Sequence, residues 1–293
     1  MSHATVEETA SPAKELTPDP VEAKRPFTIP RIQPGLLLAW LVLGIVALWT
    51  IAPGLFTSHD PVSGKARDKL LPPDTEYLLG TDELGRDLLS RMIHGSINSV
   101  TGALVAVAVG LVVGTILGLL AGSLGGITDA VVMRIVDVLL SIPSLLLSLS
   151  IIIILGFGTV NAAIAVGIGS VASFARLSRS EVLRVRRSDF VEAAFGSGGT
   201  FTAVLWRHIL PNSAGPVLAL VALQFGSAIL AISTLGFLGY GAPPPTPEWG
   251  LLIAEGRNYV ATSWWLTTYP GLVVVAVVLS ANRISHSIRK VHP

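Results

Sequence analysis

Long runs of apolar residues with few charges constrain this sequence more than any other feature. A helix needs about 20 such residues to cross ~30 Å of hydrocarbon, because it rises only 1.5 Å per residue. Charged residues make up only 13% of the chain, whereas soluble domains carry about a quarter. We therefore predict an all-α membrane protein with six transmembrane helices, formed by residues 35–53, 97–122, 132–155, 158–174, 213–240 and 265–282.

The distribution of Lys and Arg predicts the orientation of these helices, because positive charges concentrate in cytoplasmic connections. Placing the N-terminus in the cytoplasm assigns most of the 20 Lys and Arg residues to the inner side. Both termini are therefore expected to be cytoplasmic. The expected organisation is a cytoplasmic tail (1–33), a first transmembrane helix (34–56), an extracytoplasmic connection (57–96), a five-helix core (97–286) containing an inner loop (188–212), and a C-terminal tail (287–293).

The inner loop has the pattern of two short helices joined by glycines. Asp189 is the expected N-cap of the first helix, and Glu192 follows three residues later in a capping-box arrangement. The glycine-rich stretch 196–199 ends that helix, and Thr200 caps a second, amphipathic helix that Pro211 is expected to stop. Two interpretations stay open from these residues alone. The loop either only connects two spans or docks a cytoplasmic partner.

Several stretches, taken together and in order, resemble a known transporter family. They are the EAA word at 192–194 with Gly198 and ILP at 209–211, LLGTDELGRDLLSRMIHG (78–95), MRIVDVLLSIPSLLL (133–147), RLSRSEVLRVRRSDFVEAA (176–194) and LGFLGYGAPPPTPEWGLLIAEGR (235–257). Across roughly residues 75–285 the chain is similar to the C-type permease subunits of dipeptide, oligopeptide and nickel ABC importers. The resemblance implies the type I ABC importer permease fold and transport by alternating access.

The resemblance also implies partners and a coupling function for the inner loop. Its first helix would be a coupling helix that seats in a groove of an ATPase. A B-type permease subunit would complete a heterodimeric pore, two ATPase subunits or domains would bind ATP and Mg, and an extracytoplasmic binding protein would deliver cargo. The coupling residues implied in this way are Asp189, Glu192, Ala193, Ala194, Gly198, Arg207 and Pro211.

The family resemblance sets the expected cargo and its alternatives. Import of dipeptides or oligopeptides is the expected function, because the peptide branch of the family is broad. Nickel import is the alternative. A secondary transporter or channel that works without an ATPase, and a membrane scaffold without transport activity, are the other hypotheses.

Two further groups of residues are candidates for contact with cargo or with its carrier. Polar residues inside the apolar runs are pore-lining candidates, although each also suits helix packing. In the outer connections Asp82 and Arg86 also suit mutual pairing, and Trp249 suits the headgroup level. The pore-lining candidates are Asn98, Ser141, Ser144, Ser148, Asn161 and Gln224, and the outer-mouth candidates are Asp82, Arg86, Pro245, Glu248 and Trp249.

Two patterns inside the runs predict how helices pack. Glycines recur at every fourth position from Gly110 to Gly122, which predicts a helix face that another helix approaches closely. Arg134 and Asp137 are three residues apart in the third run, which predicts a local ion pair.

The sequence carries no chemistry of its own for ATP hydrolysis. It has no G-x-x-x-x-G-K-[ST] phosphate loop, so ATP and Mg are expected only in partner chains. It has no cysteine, which excludes disulfides and thiolate catalysis. Its histidines do not cluster, and the net charge of +1 gives no argument for nucleic acid. We expect a non-catalytic subunit without a bound cofactor or metal.

Overall fold

The computed structural model describes residues 34–291, with side chains described to residue 288. The predicted tail 1–33 and the last two residues lie outside this part of the chain. The helices are α1 (Pro34–Ile51), α2 (Leu88–Leu124), α3 (Gly126–Ser141), α4 (Ser144–Leu155), α5 (Thr159–Arg186), α6 (Asp189–Gly196), α7 (Phe201–Val204), α8 (Leu210–Phe237), α9 (Trp249–Gly256) and α10 (Trp265–Val291). A five-residue π turn, Leu205–Ile209, joins α7 to α8.

Five helices of the described chain are long and apolar enough to span a membrane, and the count is six if α3 and α4 form one broken span. The bend between α3 and α4 is 97°, so the third predicted run is not one straight helix. Ile142 is extended at the bend, as expected for a residue before proline, and Pro143 has no N–H to continue the ladder.

The glycine face of α2 forms the most extensive helix contact of the bundle, as the sequence predicted. An ideal Cβ on Gly114 would lie 2.5 Å from the carbonyl oxygen of Val171 on α5. An ideal Cβ on Gly118 would lie 2.4 Å from the carbonyl oxygen of Ala175. Because a side chain at either position would collide with the α5 backbone, the two helices approach this closely only through glycine.

The predicted stop at Pro211 is wrong, because the chain continues as helix from α7 through α8. The Leu210 N–H donates to the carbonyl of Leu205, five residues back, which is the hydrogen bond of a π turn. Pro211 falls in the first turn of α8, where its missing N–H costs least. The Asn212 side-chain amide donates to the His208 carbonyl at 2.6 Å. The wider turn accommodates a proline that would disrupt a regular helix.

α8 carries the chain from one end of the bundle to the other. Its 28 residues span about 42 Å, so α6 and α7 lie at one end, the α6 end, and α9 lies at the opposite end, the α9 end. Pro270 lies within α10, which extends to Val291 and so includes part of the predicted C-terminal tail.

Candidate functional site

The helix α6 is fixed to the bundle by one apolar side. Val191 of α6 is fully buried against Val182 and Val185 of α5. Val204 and Ile209, from α7 and the π turn, complete the same cluster. A helix of eight residues is marginal alone, so this cluster supplies the packing that keeps α6 folded and sets its position on α5.

The opposite side of α6 is uncovered. Glu192 and Ala193 are exposed, and so are the aromatic side chains of Phe190 and Phe195, at 47% and 38% of their surface. Large exposed aromatic side chains next to a carboxylate and a small residue suit a protein contact. The two phenylalanines were not among the predicted coupling residues, although Phe195 follows the EAA word directly and Phe190 lies two residues before it.

The start of α6 differs from the predicted capping box. Ser188, not Asp189, is the N-cap, and no described side chain caps the helix. The Glu192 N–H donates to the Ser188 carbonyl at 3.2 Å. The Ser188 hydroxyl is already engaged, because it donates to the carbonyl of Val185. Asp189 and Glu192 thus keep their carboxylates exposed in the first turn, where the helix dipole favours negative charge.

Gly198 is the one residue of the 196–199 stretch with positive φ, at +85°. An ideal Cβ on Gly199 would lie 2.6 Å from the Ala194 carbonyl oxygen, so that position also requires glycine. Thr200 then caps α7 by accepting a hydrogen bond from the Ala203 N–H, as predicted. Two of the three glycines therefore set the angle between α6 and α7 by backbone geometry.

Among the implied coupling residues, Asp189, Glu192, Ala193 and Gly198 are exposed at the α6 end, and Ala194 is partly buried against the apolar cluster. Arg207 is exposed on the π turn, and Pro211 is exposed at the start of α8. All seven residues therefore lie in one continuous segment, and most of their side chains are accessible to a partner.

A cavity of about 810 Å³ opens in the middle of the bundle. Its walls come from α2, the α3–α4 bend, α5 and α8. Four predicted pore-lining residues lie on this cavity: Ser141, Ser144, Ser148 and Gln224. Four further polar residues of the wall were not predicted, because small polar residues on α5 and α8 also suit helix packing: Ser170, Ser173, Ser227 and Thr234.

Two predicted pore-lining residues are placed elsewhere. The Asn98 amide donates to the Pro247 carbonyl at 2.9 Å and ties α2 to the connection before α9. The Asn161 amide donates to the carbonyls of Leu155 and Gly156 at 3.0 and 3.1 Å. Both side chains hold loops at helix ends, and neither lines this cavity.

At the α9 end, Glu248 is a buried helix cap. Its carboxylate accepts from the N–H groups of Gly250 and Leu251 at 2.9 and 3.0 Å and from the Ser99 hydroxyl at 3.1 Å. Burial raises the pKa of Glu248, and these hydrogen bonds act in the opposite direction. An ideal Cβ on Gly236 would lie 2.0 Å from this carboxylate, so α8 needs glycine there.

A network of ion pairs lies beside Glu248 and joins the 57–96 connection, α2 and α9. Arg86 Nε is 2.6 Å from Asp82 Oδ2, and Arg86 Nη2 is 3.3 Å from Glu83 Oε1. Arg91 Nη2 is 2.8 Å from Glu255 Oε2. The three carboxylates lie close enough to hold a metal ion, but each of them already pairs with one or both of two buried guanidinium groups, so the cluster is an ion-pair network.

The outer-mouth prediction needs correction for four of its five residues. Asp82, Arg86, Glu248 and Trp249 are all buried, and only Pro245 is exposed. Asp82 and Arg86 pair with each other, the alternative that the sequence left open. Trp249 is fully buried, and its indole N–H donates to the Met92 carbonyl at 2.9 Å. These side chains hold the α9 end together and offer no surface to a carrier.

Comparison with known proteins identifies the family. Residues 114–291 match the family described as the binding-protein-dependent transport system inner membrane component. The chain belongs to this family. It is thus a multi-pass membrane permease subunit, of the C-type that its sequence resembles.

Relatives of this permease are named as peptide permeases. It is 40% identical over 251 residues to the probable D,D-dipeptide transport system permease protein of Escherichia coli K12, covering 86% of this chain and 84% of the relative. It is 40% identical over 264 residues to the di/tripeptide transport system permease protein of Pseudomonas aeruginosa, covering 87% and 85%.

A solved structure of the MetNI methionine ABC transporter, in an inward-facing conformation, has a similar fold. Its TM-score with the permease is 0.53 at 21% identity, covering 67% of this chain and 95% of that chain. At this identity the likeness establishes the type I importer permease fold and nothing about cargo.

The predicted ion pair between Arg134 and Asp137 is wrong. Asp137 Oδ1 instead lies 2.6 Å from Arg176 Nη2 on α5. Ser141 lies one turn from Asp137 on α3, and Ser173 lies one turn from Arg176 on α5. Both serines line the cavity. The partner of Asp137 lies on a different helix because α3 packs on α5. Residue spacing along one helix does not reveal such a contact.

Proposed function

We propose that this permease is one half of the pore of an ATP-driven importer of di- or oligopeptides, and that α6 couples it to the ATPases. Its partners would be a B-type permease subunit, two ATPase subunits or domains that bind ATP and Mg, and an extracytoplasmic binding protein. Both chain termini would lie in the cytoplasm. Cargo would cross by alternating access.

The observation that carries this proposal is the geometry of α6. Its buried side is fixed to α5 through Val191, and its other side presents Glu192, Ala193 and two phenylalanines to a partner. A push on α6 would be transmitted through the apolar cluster to α5, and through the continuous α7–π turn–α8 helix to the cavity wall. The family membership supports an ATPase as the partner, and the named relatives support peptide cargo.

The wall of the cavity supports cargo of low chemical specificity. The lining combines aliphatic side chains with serine and threonine hydroxyls and one amide, and within the described chain it includes no charged or histidine side chain. A hydroxyl serves as donor or acceptor for any peptide group. Such a wall suits peptides of varied sequence and offers no ligand set for a nickel ion.

Reconstitution tests the proposal. The permease, its B-type partner, the ATPases and the binding protein are placed in proteoliposomes, and ATP-driven uptake of a labelled dipeptide is measured. We expect Glu192→Lys and Gly198→Val to insert normally and to lose uptake at least tenfold. Valine at φ +85° costs about 1–2 kcal/mol in strain, and a lysine at position 192 places the opposite charge on the docking face.

Two milder variants are the matched controls. Glu192→Gln keeps the side-chain volume without the charge reversal, and Gly196→Ala adds a Cβ at a position where no atom lies within 4 Å. Glu192→Gln should keep more uptake than Glu192→Lys, and Gly196→Ala should keep more uptake than Gly198→Val. Normal uptake in Glu192→Lys and Gly198→Val would contradict coupling through α6. Dipeptide flux through the purified single chain would favour the ATPase-independent alternative.

A further inference from the structure

The bend between α3 and α4 places an uncapped helix N-terminus in the wall of the cavity. α4 has 12 residues and follows Pro143, and no side chain caps its first turn. Its first hydrogen bond runs from the Leu147 N–H to the Pro143 carbonyl at 3.0 Å. The N–H groups of the three preceding residues therefore have no partner within the helix. Pro143, Ser144 and Leu145 all line the cavity.

A second observation marks the same place as a binding site. Ser148, one turn further along α4, lines the cavity with only 4% of its surface exposed. Its hydroxyl makes no hydrogen bond to any described residue, whereas Ser150 on the same helix donates to the Leu146 carbonyl at 2.9 Å. The small exposed part of this serine faces the cavity, so only water or a bound molecule there can complete its hydrogen bonding.

The surroundings leave room for a ligand at this point. Gly169 of α5 faces Ser148, and an ideal Cβ there would lie 4.0 Å from the Ser148 hydroxyl oxygen, so the absent side chain keeps the space open. Ser173 and Gln224 line the same cavity and also make no hydrogen bond to a described residue. No acidic side chain of the described lining competes for the N–H groups of α4.

We propose that the N-terminus of α4, with the hydroxyls of Ser144 and Ser148, binds the terminal carboxylate of peptide cargo inside the cavity. Free N–H groups and the positive end of the helix dipole favour an anion, and the two hydroxyls add donors beside them. The inference rests on the proposed function. It adds a position in the permease that recognises a group which every peptide with a free C-terminus shares.

The first test compares uptake of a labelled dipeptide with uptake of its C-terminal amide in the reconstituted complex. The same binding protein serves every variant, so a change in the ratio of the two uptake rates reports on the permease. We expect the double variant Ser144→Ala with Ser148→Ala to lower the acid-to-amide ratio by about 2–10-fold, the range for the loss of one hydrogen bond of ordinary strength. Ser150→Ala, outside the cavity lining on the same helix, should leave the ratio unchanged.

The second test uses the acid dipeptide alone and also works if the amide is not captured. Ser144→Asp places a carboxylate in the first turn of α4, where it stabilises the helix and competes with the cargo. Ser144→Asn is the neutral control of the same size. We expect the aspartate variant to lose several times more uptake than the asparagine variant.

The proposed function and the carboxylate site are contradicted by different results. If the wild-type complex moves no dipeptide with ATP, the proposed function is wrong. If the wild-type complex moves dipeptide but the double variant keeps the wild-type ratio, or Ser144→Asp matches Ser144→Asn, only the carboxylate site is wrong.

Discussion

At the residue scale, Glu248 shows why a polar residue in an outer connection need not face a partner. Its carboxylate caps α9 and accepts a hydrogen bond from the Ser99 hydroxyl on α2. The carboxylate also lies so close to α8 that position 236 requires glycine. One carboxylate thereby joins three helices at the α9 end. Its exposure is zero, so its contribution is to the stability of that end.

The raised pKa of Glu248 gives a pH prediction. An acid whose pKa in the folded protein is raised above its usual 4.5 contributes most stability below that value. The contribution is lost as pH rises through the folded-state pKa, because the folded state holds the proton more tightly. We expect Glu248→Gln, which cannot ionise, to lose less stability than the wild type as pH rises above about 4.5.

Thermal unfolding of the detergent-purified permease from pH 4 to pH 8 checks this prediction. The difference in midpoint between Glu248→Gln and wild type should shift in favour of the variant as the pH rises. Glu248→Ala removes the cap and should destabilise at every pH, by about 1 kcal/mol or more. A constant difference between the glutamine variant and wild type across the range would contradict the assignment.

At the element scale, the contact between α2 and α5 is the firmest result of the sequence pattern. A repeat of glycine at every fourth position predicted a close helix approach, and the structure places the α5 backbone directly over that face. The two helices that carry the cavity wall and the α6 anchor are therefore held as one unit. Motion of α6 is expected to move α5 and α2 together.

A pair of glycine variants tests this contact. An alanine Cβ at Gly114 would lie 2.5 Å from the Val171 oxygen, whereas no atom lies within 4 Å of that position at Gly271 on α10. We expect Gly114→Ala to destabilise the permease by about 1–3 kcal/mol through overpacking. Gly271→Ala should be neutral or stabilising, because alanine favours helix. Equal unfolding midpoints for the two variants would contradict the close packing.

Other elements could not be predicted from the sequence, for identifiable physical reasons. The hydropathy of residues 132–155 indicated an apolar span but not the 97° bend between α3 and α4. A proline in such a run is equally compatible with a mild kink, so its presence did not predict a sharp bend. Pro211 was a poor stop signal because a local π turn absorbs it. The burial of Trp249 and the pairing of Asp137 with Arg176 depend on helices distant in sequence. Periodicity within one segment contains no information about such contacts.

At the scale of the whole molecule, the permease is proposed to form one half of a pore. The family and fold are established, and in the proposed function the cavity between α2, α4, α5 and α8 would provide one wall of the transport path. α6 is the point where force from a separate ATPase would enter. The two ends of the helix bundle differ, since the α9 end is fixed by buried charges and the α6 end presents an uncovered helix face.

Site-directed cross-linking tests the central claim most directly. The chain has no cysteine, so a single Ala193→Cys on the exposed face of α6 can carry a photoreactive maleimide probe in the assembled complex. Pro245→Cys, exposed at the α9 end, carries the same probe as the control. The account predicts that the probe at position 193 labels the ATPase, with a yield that differs between ATP and ADP, and that the probe at position 245 does not. Labelling of lipid alone from position 193, with the ATPase labelled from another part of the chain, would contradict it.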